Sequence, residues 1–157
     1  MRDVLFVCTA NICRSPMAEA IFNALAGDAG ISWRARSAGV FAAEGYPMAP
    51  EAEKVLSEAG VPVGRHHSRP LTGEMLREAD LVLAMTPAHV EEMSRSFGEL
   101  PDSVHVLTEY VGSGSGGISD PYGLSMSSYR ACARHLFECI EPLVKKLEDG
   151  TTASSSP

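Results

Sequence analysis

Cys8 and Arg14 are separated by the five residues Thr9-Ala10-Asn11-Ile12-Cys13, and Ser15-Pro16 follows at once. A thiol and a guanidinium at that spacing can close on one tetrahedral dianion. A loop wound around such an ion turns consecutive backbone N–H groups inward, and a helix starting just behind it adds the positive end of its dipole. Arg14 offers a planar pair of donors to two phosphoryl oxygens, which a lysine does not match. Arginine and a helix N-terminus also favour thiolate over thiol, lowering a cysteine from ~8.5 into the range ~3.5–7.5. Cys8 is therefore expected to be a nucleophile, with Ser15 donating its hydroxyl to the sulfur. Asn11 tolerates left-handed backbone and has both donors and an acceptor, so it is expected to hold the loop's shape. Thr9, Ala10, Ile12 and Cys13 complete the ring. The plainer alternative is a small buried thiol at a strand end and a surface arginine.

Cleaving a phosphate ester also needs a proton for the departing oxygen, commonly worth ~10²–10⁴ in rate. Asp120, stiffened by Pro121 and preceded by the glycine-rich run Gly112–Gly117, is the candidate acid. The run is expected to be a mobile loop that lets the acid fold over the site. Asp-Pro by itself more often marks an ordinary turn. Asp120 must be protonated while the ester cleaves, and desolvation beside a dianion favours that form. Afterwards it would act as the base that activates water against a cysteinyl-phosphate.

The elements that position these groups are legible as alternating patterns. Short apolar runs at Val4–Val7, Trp33–Ala38, Leu81–Met85 and Val104–Leu107 read as strands. Helical spacing runs over Pro16–Ala26 up to Gly27 and over Pro50–Ala59 up to Gly60. Thr72 can cap a short helix with Leu71 and Leu76 as a hydrophobic staple. Thr86-Pro87 opens a helix ending before Gly98. A last helix spans about Met126–Leu147, with Pro142 expected to kink or break it. Strand–helix alternation implies βαβ units, a parallel sheet and right-handed crossovers, with ligands beyond the carboxyl ends of the strands, where Cys8 lies.

Composition agrees with a single globular domain. The chain has 157 residues, 45% of them apolar and 21% charged. Thirteen basic against twenty acidic residues give a net charge of −7, which argues against a nucleic-acid partner. No apolar run approaches the ~18 residues of a membrane span, so no membrane partner is expected. Met1-Arg2-Asp3 leads straight into a strand with no leader pattern. Four cysteines with a required thiolate suit a reducing, cytoplasmic setting.

The string VLFVCTANICRSPMAEA resembles the signature of the low-molecular-weight protein tyrosine phosphatase family. Arg36-Ser37-Ala38-Gly39-Val40, Leu81–Thr86 and Asp120-Pro121-Tyr122-Gly123 fall in the family's order and spacing, so the resemblance covers roughly residues 2–148. Several segments look especially similar to the bacterial protein arginine phosphatase branch. The resemblance implies an α/β domain, about 1–149, with a four-stranded parallel sheet flanked by helices on both faces in a flavodoxin-like arrangement. Residues 150–157 then form a disordered tail. It implies a metal-independent phosphatase without cofactor, acting on a phosphorylated protein as a monomer through Cys8, Arg14 and Asp120. It further implies second-tier roles for Ser37 and His66, hydrogen-bonding toward Asn11, while adjacent His67 reads as surface. A reversible Cys8–Cys13 disulfide is implied as well; a packed Cys13 thiol is the alternative. Cys132 and Cys139 read as core.

Two features bear on which phosphorylated residue is cleaved. Ile12 occupies the loop position where tyrosine-directed members carry an aliphatic residue and arginine-directed ones threonine. Tyr122 adds an aromatic able to stack on a phosphorylated ring. Against these, Arg36–Val40, Pro70-Leu71-Thr72 and Leu81–Thr86 look more like the arginine branch, and Ala10 stands where both branches usually have glycine. Residues lining the pocket bear on specificity more directly than framework does, so phosphotyrosine is favoured and phosphoarginine is the alternative. A non-catalytic phosphate-binding module and an arsenate reductase remain further possibilities; the absence of cysteine from Leu81–Glu92 weakens the latter.

Overall fold

Residues of strand β1 (Arg2–Cys8) alternate between two apolar layers, and that alternation organises the molecule. In the computed structural model, which describes residues 1–154, Val4, Phe6 and Cys8 face one buried cluster while Leu5 and Val7 face another. A strand buried on both sides is what an all-parallel sheet requires. The chain runs β1, α1 (Arg14–Ala29), β2 (Trp33–Gly39), α2 (Pro50–Glu58), α3 (Gly73–Glu78), β3 (Leu81–Ala84), α4 (Pro87–Phe97), β4 (Val104–Val106), α5 (Leu107–Tyr110) and α6 (Met126–Ser154). The four strands are parallel, in the order β2-β1-β3-β4.

Helices α1, α2 and α6 cover one face through Met17, Ile21, Phe22, Val55, Leu56, Leu136, Ile140 and Leu143. Phe6 and Phe22 meet edge-on, with centroids 6.0 Å apart. Leu76 of α3 and Met93 of α4 cover the other face. The expected staple is present: Thr72 caps α3 by accepting from the Met75 N–H, and Leu71 and Leu76 lie in one cluster.

Helix limits depart from the sequence reading in instructive ways. Helix α1 begins at Arg14, ahead of Pro16, and runs through Gly27 to Ala29. Gly27 costs a helix only ~1 kcal/mol, less than the packing its turn preserves. Gly30, left-handed at φ 68°, is the actual stop. Helix α6 is continuous through Pro142, so of the expected kink or break it is not the break that occurs, and its apolar stripe is buried on both sides of that residue. It also continues past 150 to Ser154, where a tail had been expected; residues 155–157 of that tail lie outside the described residues. The run Val104–Leu107 yields a strand only to Val106, and Leu107 opens the short helix α5.

Strand order reverses between β1 and β3, and their carboxyl ends diverge into different loops. Open sheets bind ligands at such a point. Cys8 is its last strand residue.

Candidate active site

Peptide carbonyls of the segment after Cys8 are taken up by the surrounding framework. Cys8 O accepts from Val40 N–H, Thr9 O from Phe41 N–H and Ile12 O from Ala49 N–H, each at 2.9 Å. Asn11 O accepts from His66 Nε2 at 2.7 Å; a carbonyl can only accept, so that nitrogen carries the proton. No peptide among the described residues is cis. In a trans peptide the C=O and N–H point to opposite sides, so the N–H groups of Thr9, Ala10, Ile12 and Cys13 are turned away from the framework. Beside this loop lies a hollow of about 310 Å³ lined by Cys8, Thr9, Ala10, Ile12, Cys13, Arg14, Asp120 and Tyr122.

Asn11 is the only non-glycine residue among those described with positive φ, at 59°. Ala10 therefore carries no left-handed strain. The Asn11 amide lies at the centre of a buried relay. Its Oδ1 accepts from Arg69 N–H at 3.1 Å, which fixes which end is nitrogen. Its Nδ2 donates to Ser15 Oγ and Ser37 Oγ, both at 2.9 Å. Ser37 sends its proton to Glu19 Oε1 at 2.7 Å. Ser15, already accepting from Asn11, has its proton free for Cys8 Sγ at 2.8 Å. Amide orientation thus leaves the Ser15 proton available to the sulfur, and a thiolate there, able only to accept, would take it. His66 reaches the same loop, whereas His67 is exposed.

Gly39 explains how this packing closes. A Cβ there would fall 2.5 Å from Thr9 O and 3.0 Å from Asn11 N, both backbone atoms. Only a residue without a side chain lets the end of β2 pass that close.

Arg14 is almost completely buried. Its Nη1 donates to Ile118 O at 3.0 Å and its Nη2 to Thr9 Oγ1 at 3.4 Å. Nη2 also lies 3.6 Å from Asp120 Oδ2. The carboxylate side chain is 51% exposed, so this pair adds little stability but leaves the acid at the mouth of the hollow. Asp120 Oδ1 accepts from Tyr122 N–H at 3.1 Å, and the Tyr122 side chain stands out in solvent.

The glycine-rich segment is not free along its whole length. Gly117 has φ 81°, and a Cβ there would meet Met85 O at 2.5 Å. Ile118, fully buried, donates its N–H to that same carbonyl at 2.7 Å. The segment carrying Asp120 is anchored two residues before that carboxylate.

Two further groups complete the neighbourhood. Cys13 is a buried free thiol, 3.4 Å from the Tyr129 hydroxyl; burial pushes it up to about 11, against the smaller lowering effect of that hydrogen bond. Cys132 and Cys139 are also buried, and burial raises Cys132 to about 12. His89, absent from the sequence reading, contacts Thr9 Oγ1 at 2.9 Å. Burial, and then the nearby Arg14 charge, lower His89 from 6.5 to about 4. The signal that could have found it is Thr86-Pro87-Ala88-His89, a helix start whose fourth residue can reach back to the cap.

The sequence profile of the low molecular weight phosphotyrosine protein phosphatase family matches residues 3–153. The protein-arginine-phosphatase of Bacillus subtilis is 42% identical over 146 residues, covering 93% of this chain and 97% of the relative. A crystal structure of a low molecular weight protein tyrosine phosphatase from T. tengcongensis superposes with a TM-score of 0.88 at 44% identity, covering 93% and 99% of the two chains. A structure of the YwlE arginine phosphatase, a mutant bearing a phosphorylated active-site serine, superposes at 0.89 with 42% identity, covering 93% and 95%.

Proposed function

Given that the chain belongs to the low molecular weight phosphotyrosine protein phosphatase family, we propose that its residues cleave phosphotyrosine in proteins through Cys8, Arg14 and Asp120. The family's chemistry is hydrolysis of a phosphoric monoester with a cysteine nucleophile. Cys8 Sγ attacks phosphorus as the P–O bond to the phenolic oxygen breaks, and Asp120 gives that oxygen its proton. The inward N–H groups and Arg14 take the charge on the three remaining oxygens, where fixed dipoles cost no reorganisation. Ser15 O–H steadies the sulfur as thiolate and again as leaving group. In the second half, Asp120 takes a proton from water, the water oxygen attacks phosphorus and the P–S bond breaks. Inorganic phosphate leaves and the thiolate returns.

The observation that carries the substrate assignment is the lining of the hollow. Ile12 and Tyr122 border it beside Cys8 and Arg14. An aliphatic wall and an exposed ring suit an aryl group, and Ile12 offers a guanidinium no hydroxyl at its position. Similarity does not decide between substrates, since an arginine phosphatase at 42% and a tyrosine phosphatase at 44% lie equally near. Phosphoarginine is the second reading, favoured by the B. subtilis relative. Side-by-side kcat/KM on phosphotyrosine peptides and phosphoarginine protein tests it; turnover of phosphoarginine with none of phosphotyrosine reverses the assignment.

The remaining expectations fit this reading. The catalytic unit spans about 1–149 and works as a monomer in a reducing cytoplasm, without nucleic acid. Among the described residues no helix is long and apolar enough to cross a membrane. Ser37 and His66 serve by holding Asn11 rather than by touching substrate. Arsenate reduction would need a resolving thiol able to ionise, and burial opposes that at Cys13 and Cys132.

A further inference from the structure

We infer that His89 is a positioning residue for phosphoryl binding, orienting the Thr9 hydroxyl so that its proton points into the hollow. The inference rests on the assignment of that hollow as the phosphoryl site. It begins with a hydrogen whose position is not adjustable. The main-chain N–H of Thr86 lies 3.2 Å from His89 Nδ1, and a backbone N–H can only donate. Nδ1 is therefore the acceptor, and in a neutral imidazole the proton must sit on Nε2. Thr86 Oγ1 lies 2.9 Å from the same Nδ1 and shares that single acceptor site with the main-chain N–H.

Nε2–H then donates to Thr9 Oγ1 at 2.9 Å. Arg14 Nη2–H approaches the same oxygen at 3.4 Å. A hydroxyl has two lone pairs and one proton. With both lone pairs engaged by the N–H groups of His89 and Arg14, the Thr9 proton is left over. Thr9 lines the hollow with Cys8 and Arg14, so the proton is available to a phosphoryl oxygen there. Helix α4 thereby contributes through its first turn to a loop far away in sequence. Burial and the Arg14 charge keep the ring neutral across the physiological range, which the relay needs: a proton on Nδ1 would oppose Thr86 N–H. Asp120 is the other charged group that acts on this ring.

The test is a double-mutant cycle on Thr9 and His89, read both in kcat/KM for an aryl phosphate and in calorimetric affinity for inorganic phosphate. Thr9→Val should weaken both by roughly tenfold or more, the usual effect of losing a hydrogen bond to a charged group. His89→Phe should weaken both by a similar factor, and His89→Gln, which places an N–H at the same reach as Nε2, should recover most of that loss. The decisive outcome is the pair: His89→Phe added to Thr9→Val should cost no more than about twofold further. A full additional loss would mean that His89 acts independently of Thr9, and overturns the inference. So would wild-type phosphate affinity in His89→Phe. If wild-type protein binds phosphate but turns over no ester, the catalytic assignment fails while the cycle still decides the positioning role in binding. If wild-type protein binds no phosphate, both fail. Should His89→Phe not fold, the Thr9→Val and His89→Gln pair supplies the cycle: an intact relay requires His89→Gln to be silent in the Thr9→Val background, and an added loss there overturns it.

Discussion

The main-chain N–H of Arg69 donates to Oδ1 of Asn11 at 3.1 Å, and this one bond sets the sense of the whole relay that ends on Cys8. It forces Nδ2 toward Ser15 and Ser37, and so leaves the Ser15 proton to the sulfur. Asn11→Asp keeps the size, the Oδ1 acceptor and tolerance of φ 59°, but removes the donor. Ser15 would then turn its proton to the carboxylate instead. We expect kcat to fall by roughly tenfold or more, as for loss of a buried charge-assisted hydrogen bond. Steady-state kinetics within about twofold of wild type would show that the amide does not direct Ser15.

Asp120→Asn should separate substrates by leaving group. Proton donation is worth ~10²–10⁴ only where the departing oxygen needs it. Phenyl phosphate hydrolysis should fall by about that factor, and p-nitrophenyl phosphate hydrolysis far less. Equal slowing of both esters would mean that the carboxylate, 3.6 Å from Arg14 in the free protein, serves structure alone.

Gly39→Ala and Gly27→Ala should move stability in opposite directions. At Gly39 the added methyl meets Thr9 O at 2.5 Å, and backbone cannot step aside cheaply. Overpacking of this kind costs ~1–3 kcal/mol, and here it also displaces the loop, so kcat/KM should fall with it. At Gly27 nothing lies within 4 Å, and the residue is inside α1. Alanine should stabilise there by up to ~1 kcal/mol with activity unchanged. Urea unfolding with parallel kinetics checks both; a neutral Gly39→Ala would refute the close approach.

Acid should destabilise the fold in part through His89. Its value drops from 6.5 to about 4 on folding, chiefly by burial and then by Arg14, with Asp120 opposing. Between those two pH values the unfolded chain takes a proton that the folded chain refuses. The contribution is therefore whole above 6.5 and disappears as pH falls toward 4. From pH 7 to pH 5 wild-type protein should lose about 2 kcal/mol more than His89→Gln. Denaturant titrations at the two pH values give the difference directly, and identical slopes would place the ring in contact with water.

Ile12→Thr should raise the ratio of phosphoarginine to phosphotyrosine turnover, since it replaces a branched apolar wall of the hollow by a hydroxyl. An unchanged ratio would move specificity to other parts of the rim, for instance the exposed Phe41 or Tyr46.

Local chemistry was plain in the sequence because the loop is local. Cys8, Asn11, Arg14 and Ser15 lie within one short segment, and strand before and helix after follow from apolar spacing alone. That β1 is covered on both faces also follows from its being apolar at every position from Val4 to Cys8. What stayed hidden depends on atoms brought together from afar. Nothing near Gly39 says that Thr9 O will lie where its Cβ would be. Arg69 acts through its main chain, which residue type does not advertise. The pairing of Thr9 with His89 joins residues 80 apart. The helix end expected at Gly27 and the break held possible at Pro142 are absent for one cause: intrinsic preferences of one to a few kcal/mol yield to a buried stripe.

Gly117 and Ile118 have a mechanical consequence for the acid. With Ile118 pinned from both sides, by Met85 O on its N–H and Arg14 on its carbonyl, Asp120 swings on a leash two residues long. Such a leash reaches roughly 7 Å at full stretch. However the glycines upstream are arranged, the Asp120 backbone stays within that reach of Ile118 and so of the Arg14 guanidinium.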